Sequence, residues 1–195
     1  MKRPIHAVAV AIVACALLSG AGGTYPHGKS VRLGKSLVAR YDKFKDNTAV
    51  ATKFEWMEAG RTHLSLVAAF SCTGDSLSYP DTVGIVISYA GQEWMFLNEY
   101  ERGLVFLLDG DRVPVKILLH NTDVSPGLYT RANVSEQMVA MIPSALAARI
   151  LASAGEGQIG NTEFRFGKKV AAGASEMAAL LTKLRPAESD SSTTR

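Results

Sequence analysis

Few side chains in this 195-residue chain are set up for chemistry, and they are widely spaced. The histidines are His6, His27, His63 and His120. His120 opens the run His120-Asn121-Thr122-Asp123, a short way after Asp109-Gly110-Asp111. A histidine with carboxylates nearby can hold zinc or act as a general base. That nominates His120, Asp123, Asp109 and Asp111 as metal ligands, with His63 as an outer member of the set. The competing reading is structural. Asn, Asp and Thr in such runs make turns. Asp-Gly between apolar runs marks a hairpin whose two turn residues both take positive φ. No ligands follow Asp109-Gly110-Asp111 at calcium-loop spacing, so the turn reading is preferred. His63 falls on the polar face of a strand pattern, where solvent is its expected partner.

Motifs for other chemistries are missing from the sequence. It contains no His-Glu-x-x-His, no Gly-x-Ser-x-Gly, no phosphate-binding glycine loop and no Cys-x-x-Cys. Gly155, Gly157 and Gly160 lie between a helix pattern and a strand pattern, the reverse of the order a phosphate site requires. We therefore assign no catalytic residue and no cofactor. Asn133-Val134-Ser135 forms a glycosylation sequon, relevant only in a eukaryotic secretory route.

The N-terminus sets the compartment. Lys2 and Arg3 precede an apolar stretch from Ile5 to Leu18, and small residues from Ser19 to Gly23 follow. This is the three-part pattern of a secretory leader, with cleavage expected after Ala21. The apolar stretch is shorter than the roughly 20 residues that span a bilayer. Ile12-Val13-Ala14-Cys15 also resembles a lipobox, which would lipidate Cys15 and tether the chain to a membrane. Against this, Ala16-Leu17-Leu18 continue the apolar run beyond the cysteine. Localisation is thus expected to be periplasmic or extracellular, with a lipoprotein as the alternative.

Charge and cysteines narrow the function classes. Loss of Lys2 and Arg3 with the leader reduces the net charge from +3 to +1. A nearly neutral domain offers no electrostatic case for nucleic acid. Cys15 leaves with a cleaved leader, so Cys72 stands alone and the fold must rest on its apolar core. Cys72 lies on an apolar strand face and reads as inert packing. Trp56, Trp94 and Tyr100 read as core anchors rather than contact residues.

The elements that must position these residues are mainly strands. Thr48 to Met57 alternates, with Val50, Thr52, Phe54 and Trp56 on one face. In the alternating run from His63 to Cys72, Leu64, Leu66, Ala68, Phe70 and Cys72 share a face. Val83–Tyr89, Trp94–Leu97, Leu104–Leu108 and Arg112–Leu119 follow as strands, then a loop over Asn121–Gly127 and one or two strands within Leu128–Ile142. Pro114 argues for an edge or an irregularity. Pro143-Ser144 opens a helix with Leu146, Ile150 and Leu151 at helical spacing, stopped by Gly155. A strand pair joined at Gly160-Asn161 comes next, then a helix from Ala174 to Leu184 capped by Ser175. The expected fold is α+β, mainly β: an antiparallel β-sandwich or curved sheet with two C-terminal helices. The runs at Trp94–Leu97 and Leu104–Leu108, apolar on both faces, predict helices covering both sides of one sheet. The expected organisation is a leader over 1–21, a flexible lead-in over 22–36, one β-rich domain over 37–185 and a disordered tail over 186–195.

Several segments resemble uncharacterised exported bacterial proteins: Tyr41-Asp42-Lys43-Phe44-Lys45-Asp46 with the strand after it, Trp94–Leu97 with Leu104–Gly110, Ile142-Pro143 with its helix, Gly157-Gln158-Ile159-Gly160, and Thr162–Phe166 with the closing helix. A looser similarity is to invasion-associated exported β-sandwich proteins of the locus B type, whose typical cysteines this chain lacks. The resemblance implies an exported β-rich domain and carries no catalytic residues. The expectation is a non-catalytic binding or envelope-associated module. Another envelope protein or a small ligand is its partner, and membrane contact is limited to the leader or a lipid anchor. The alternatives are a small metal-dependent or hydrolytic periplasmic enzyme and a lipid-anchored envelope protein.

Overall fold

Strand alternation in this chain builds two antiparallel sheets that share one core. The computed structural model describes residues 27–60, 62–97, 103–125, 132–153 and 155–186. The leader with Cys15 and His6, Tyr100, and the tail beyond Pro186 lie outside the described residues. The first strands are β1 (Ser30–Arg32), β2 (Leu37–Asp42), β3 (Asn47–Thr52), β4 (Glu55–Trp56), β5 (Leu64–Thr73) and β6 (Thr82–Gly91). After them come β7 (Leu104–Leu108), β8 (Asp111–Val115), β9 (Ile117–Ser125) and β10 (Asn133–Pro143). The chain ends with α1 (Ser144–Ala152), β11 (Glu156–Ile159), β12 (Thr162–Arg165) and α2 (Lys168–Leu184). The larger sheet has eight strands in the order β1-β2-β3-β5-β6-β10-β9, with β4 also paired to β5. The smaller sheet runs β12-β11-β7-β8. The fold is mainly β, with open antiparallel sheets and two helices.

One face of the large sheet carries the core. Leu64, Leu66, Ala68 and Phe70 of β5, Val83, Ile85 and Ile87 of β6, and Met138, Ala140 and Ile142 of β10 are buried there. They pack in one cluster with Phe106, Ile159 and Phe164 of the small sheet and with Ile150, Leu151, Met177 and Leu181 of the helices. Both helices and the small sheet therefore cover the same face, not opposite faces as the sequence suggests. Among the described residues, the other face holds only a small buried cluster, Ala51, Val67 and Val86. The reason lies in the two apolar runs. Leu104–Leu108 alternates in burial, with Leu107 39% exposed. Trp94–Leu97 is not a strand; Trp94 is 39% exposed and only Phe96 is fully buried.

Register shifts account for other departures from the sequence pattern. Val50 pairs with Phe70 on the core face, but Trp56 pairs with Ser65 on the opposite face. One extra residue enters between β3 and β4, and a single-residue slip moves later side chains to the other face. The Thr52 hydroxyl accepts the Ala68 amide at 3.0 Å beside this bulge. Trp56 is consequently 43% exposed instead of anchoring the core. Residues 116–119 belong to the turn into the large sheet and to β9 rather than to the β8 return strand, and the loop expected over 121–127 begins as strand through Ser125. The last helix starts at Lys168, not Ala174, with Gly167 as its N-cap, so Ser175 is an exposed mid-helix residue.

Several local expectations hold. Asp109 and Gly110 form the β7–β8 turn with φ of 56° and 91°. Pro114 sits on β8, an edge strand. Gly160, with φ 55°, turns β11 into β12. Cys72 is buried on β5 and its thiol donates to the Ser78 carbonyl at 3.2 Å. The lead-in proves structured from residue 27 onward. Val31 pairs with Ala39, and the Glu176 carboxylate of α2 accepts the Lys35 and Ser36 amides at 3.2 and 2.9 Å.

Candidate functional site

Alternation along β9 decides what His120 can meet. His120 lies opposite Met138 and so points to the core side, whereas Asp123 lies opposite Ser135 on the other side and is exposed. Residues separated by an odd number along a strand face opposite ways. The two side chains joined in the sequence reading are thus parted by the sheet itself. Asp109 and Asp111 are exposed at the β7–β8 hairpin of the other sheet. His63 is exposed and meets Trp56 edge-on, with ring centroids 6.0 Å apart. Among the described residues, no three His, Cys, Asp or Glu come together to hold a metal ion.

His120 is joined instead to Glu136, a residue the sequence reading passed over. Its Nε2–H donates to Glu136 Oε2 at 2.9 Å, and the two side chains are 6% and 0% exposed. Glu136 occupies the core-facing row of β10 between Val134 and Met138. Tyr89 of β6 and Thr122 of β9 stand opposite it on either side. The Met95 amide donates to Oε1 at 2.5 Å, and the Phe96 amide donates to both oxygens at 3.0 and 3.1 Å. A buried carboxylate needs such a set of donors to offset its desolvation. The bonds also explain why Trp94–Leu97 forms no strand: its central amides are committed to Glu136 rather than to a ladder.

Tyr89 reports the charge in this cluster. Burial, the negative charge of Glu136 and that of Glu93 raise its phenol above the ordinary value of 10.0. Its hydroxyl donates to the Glu93 carbonyl at 3.0 Å, and its ring meets Phe96 edge-on at 5.8 Å. A histidine oriented by a buried carboxylate is one half of an acid–base relay. In this protein the same bonds fasten the 95–96 segment to the sheet. The signal available in the sequence was one carboxylate in an otherwise apolar alternating row: Val134, Glu136, Met138, Ala140, Ile142.

A second site lies on the outer face of the small sheet. There a cleft of about 750 Å³ is lined by Glu58, Leu107, Arg112, Glu156, Gln158 and Arg165, among others. Cross-strand register lines these residues up. Glu58 faces Arg165, Arg165 faces Glu156, Glu156 faces Leu107, and Leu107 faces Arg112. Arg165 Nε lies 2.9 Å from Glu156 Oε1, and Arg112 Nη2 donates to Gln158 Oε1 at 3.4 Å. Charges of both signs therefore flank a half-exposed leucine.

Gly157 shapes the floor of the cleft. A Cβ at this position would collide with the Phe164 ring and lie 2.9 Å from the Val105 carbonyl oxygen. Its absence lets Phe164 fold back against Phe106, with centroids 6.0 Å apart.

No family model, no curated protein and no solved structure matches this chain. The geometry of the two sites therefore carries the functional argument alone.

Proposed function

We propose that this protein is an exported, non-catalytic binding module that takes its ligand or partner on the outer face of the small sheet. The observation that carries the reading is the cleft itself. Its volume of about 750 Å³ falls within the range of small-ligand sites. Leu107 provides an apolar contact, and Arg112, Gln158, Glu156 and Arg165 provide polar groups of both signs around it. Such an arrangement suits a polar ligand with an apolar portion, either a small molecule or a segment of another envelope protein. Export rests on the leader pattern, as does the alternative of a lipid anchor at Cys15.

The test is retention of components from an envelope extract on the immobilised protein, compared with a Leu107→Asp variant. Native protein is expected to retain a component that the variant loses. Equal retention by both would remove the cleft from the reading. Mass spectrometry of the processed N-terminus checks export: cleavage after Ala21 is expected, and an acylated Cys15 would assign the chain to lipoproteins.

The His120–Glu136 pair favours a second reading, a small hydrolase in which His120 is the base and Glu136 orients it. Turnover of an activated ester that disappears in His120→Ala, with the fold intact, would establish it. A stoichiometric metal lost in the same variant would establish the metal-dependent form.

A further inference from the structure

The two sheets present four edges among the described residues, and they are not equally guarded. An open strand edge is a template for pairing with another chain, and proteins blunt it with short strands, proline, charge or a covering segment. β1 has only 3 residues. β8 carries Asp111, Arg112 and Pro114. β12 is covered at Arg165, whose amide donates to the Glu58 carbonyl at 2.7 Å while the Glu58 amide donates back at 2.9 Å. β9 differs from all three. It is 9 residues long, contains no proline, lysine or arginine, and has Asp123 as its one acidic residue. Leu118, Leu119 and Val124 on it are 58%, 47% and 53% exposed. A bulge interrupts it near Leu118, and from Leu119 to Ser125 its register against β10 is unbroken.

We propose that β9 is a self-association edge: two copies pair their β9 strands antiparallel about a two-fold axis through Thr122, merging two large sheets into one. The sequence of the strand selects a second copy as the occupant. With Thr122 at the centre, the whole regular stretch Leu119–Ser125 pairs with itself. Each Asn121 then faces Asp123 of the other copy, an amide donor against a carboxylate acceptor. Thr122 faces Thr122, a favourable cross-strand pair. No carboxylate faces another carboxylate. A two-fold contact closes on itself and uses up the open edge of both copies. This inference is independent of the proposed ligand cleft, which lies on the other sheet.

The register makes the test specific. Facing residues of an antiparallel pair have Cα atoms about 4.5–5.5 Å apart, within disulfide reach. Protein recovered from an exporting host is expected to sediment as a dimer. Thr122→Cys is expected to give a covalent dimer on a non-reducing gel, whereas Leu119→Cys, which faces Ser125, is not. The native Cys72 is buried and does not compete. Asn121→Asp places two carboxylate pairs face to face and is expected to weaken dimerisation roughly tenfold. Asn121→Lys, facing Asp123, is expected to preserve it. A monomer at every concentration would overturn the proposal, and so would equal cross-linking of the two cysteine variants or an unchanged dimer in Asn121→Asp.

Discussion

Glu136 and Glu156 are the same side chain in opposite settings. Glu136 lies within the core-facing row of the large sheet, fully buried, with three N–H groups aimed at it. Glu156 lies on the outside of the small sheet, where its side chain is 48% exposed beside an Arg165 side chain that is 70% exposed. A desolvated charge must be satisfied by protein donors or the fold suffers. A solvated one is satisfied by water and can exchange that water for a ligand. The difference teaches which site is architecture and which is available. Glu136 organises a segment that would otherwise have no anchor, and the cleft around Glu156 remains open to a partner.

The sharpest way to break this comparison is Glu136→Ala. It strands His120, the buried Phe96 amide and the partly buried Met95 amide, and a loss of about 3–5 kcal/mol is expected, read as a fall in the urea midpoint. An effect below about 1 kcal/mol would place Glu136 outside the architecture. His120→Ala removes one of the carboxylate's donors and should cost about 1–3 kcal/mol by the same measurement. Gly157→Ala tests the cleft floor. Its new methyl must displace Phe164 or the β7 backbone, so a loss of about 1–3 kcal/mol and a shifted aromatic near-UV signal are expected. Arg165→Ala should cost no more than about 1 kcal/mol, because its partner is exposed and screened. Its effect should appear in ligand retention instead.

Tyr89 sharpens the comparison through pH. Its phenol is raised in the fold, so the unfolded chain loses that proton first as pH climbs. The associated stability is complete below the ordinary value near 10 and declines as pH rises through the raised one. Tyr41 is raised as well, by desolvation and by Asp46, Asp75 and Asp42. Ultraviolet titration should therefore show late-ionising tyrosines, and Glu136→Gln should bring the Tyr89 share back toward normal while leaving Tyr41 late. No change in that variant would mean that burial and Glu93 set the shift without Glu136.

Local sequence signals were legible wherever a nearest-neighbour rule governs. The Asp109-Gly110 hairpin, the inward row of β5, the edge position of Pro114 and the β11–β12 pair all follow from a few adjacent residues. Failures appeared where one residue of slip reverses a face. The extra residue between β3 and β4 put Trp56 outside, and reading Asn121–Gly127 as a loop hid the alternation that separates His120 from Asp123. Glu136 was visible as a lone carboxylate in an apolar row, but nothing in the sequence says that Met95 and Phe96 fold over to meet it.

The sequence by itself determined the class of fold, the strand content and the tight turns, because backbone geometry and side-chain period are local properties. Tertiary structure alone decided which face each helix covers, which partner His120 finds and which edge is left open. Those outcomes depend on register and on contacts between residues far apart in the chain, and the energy of a distant contact leaves no mark on its neighbours in sequence.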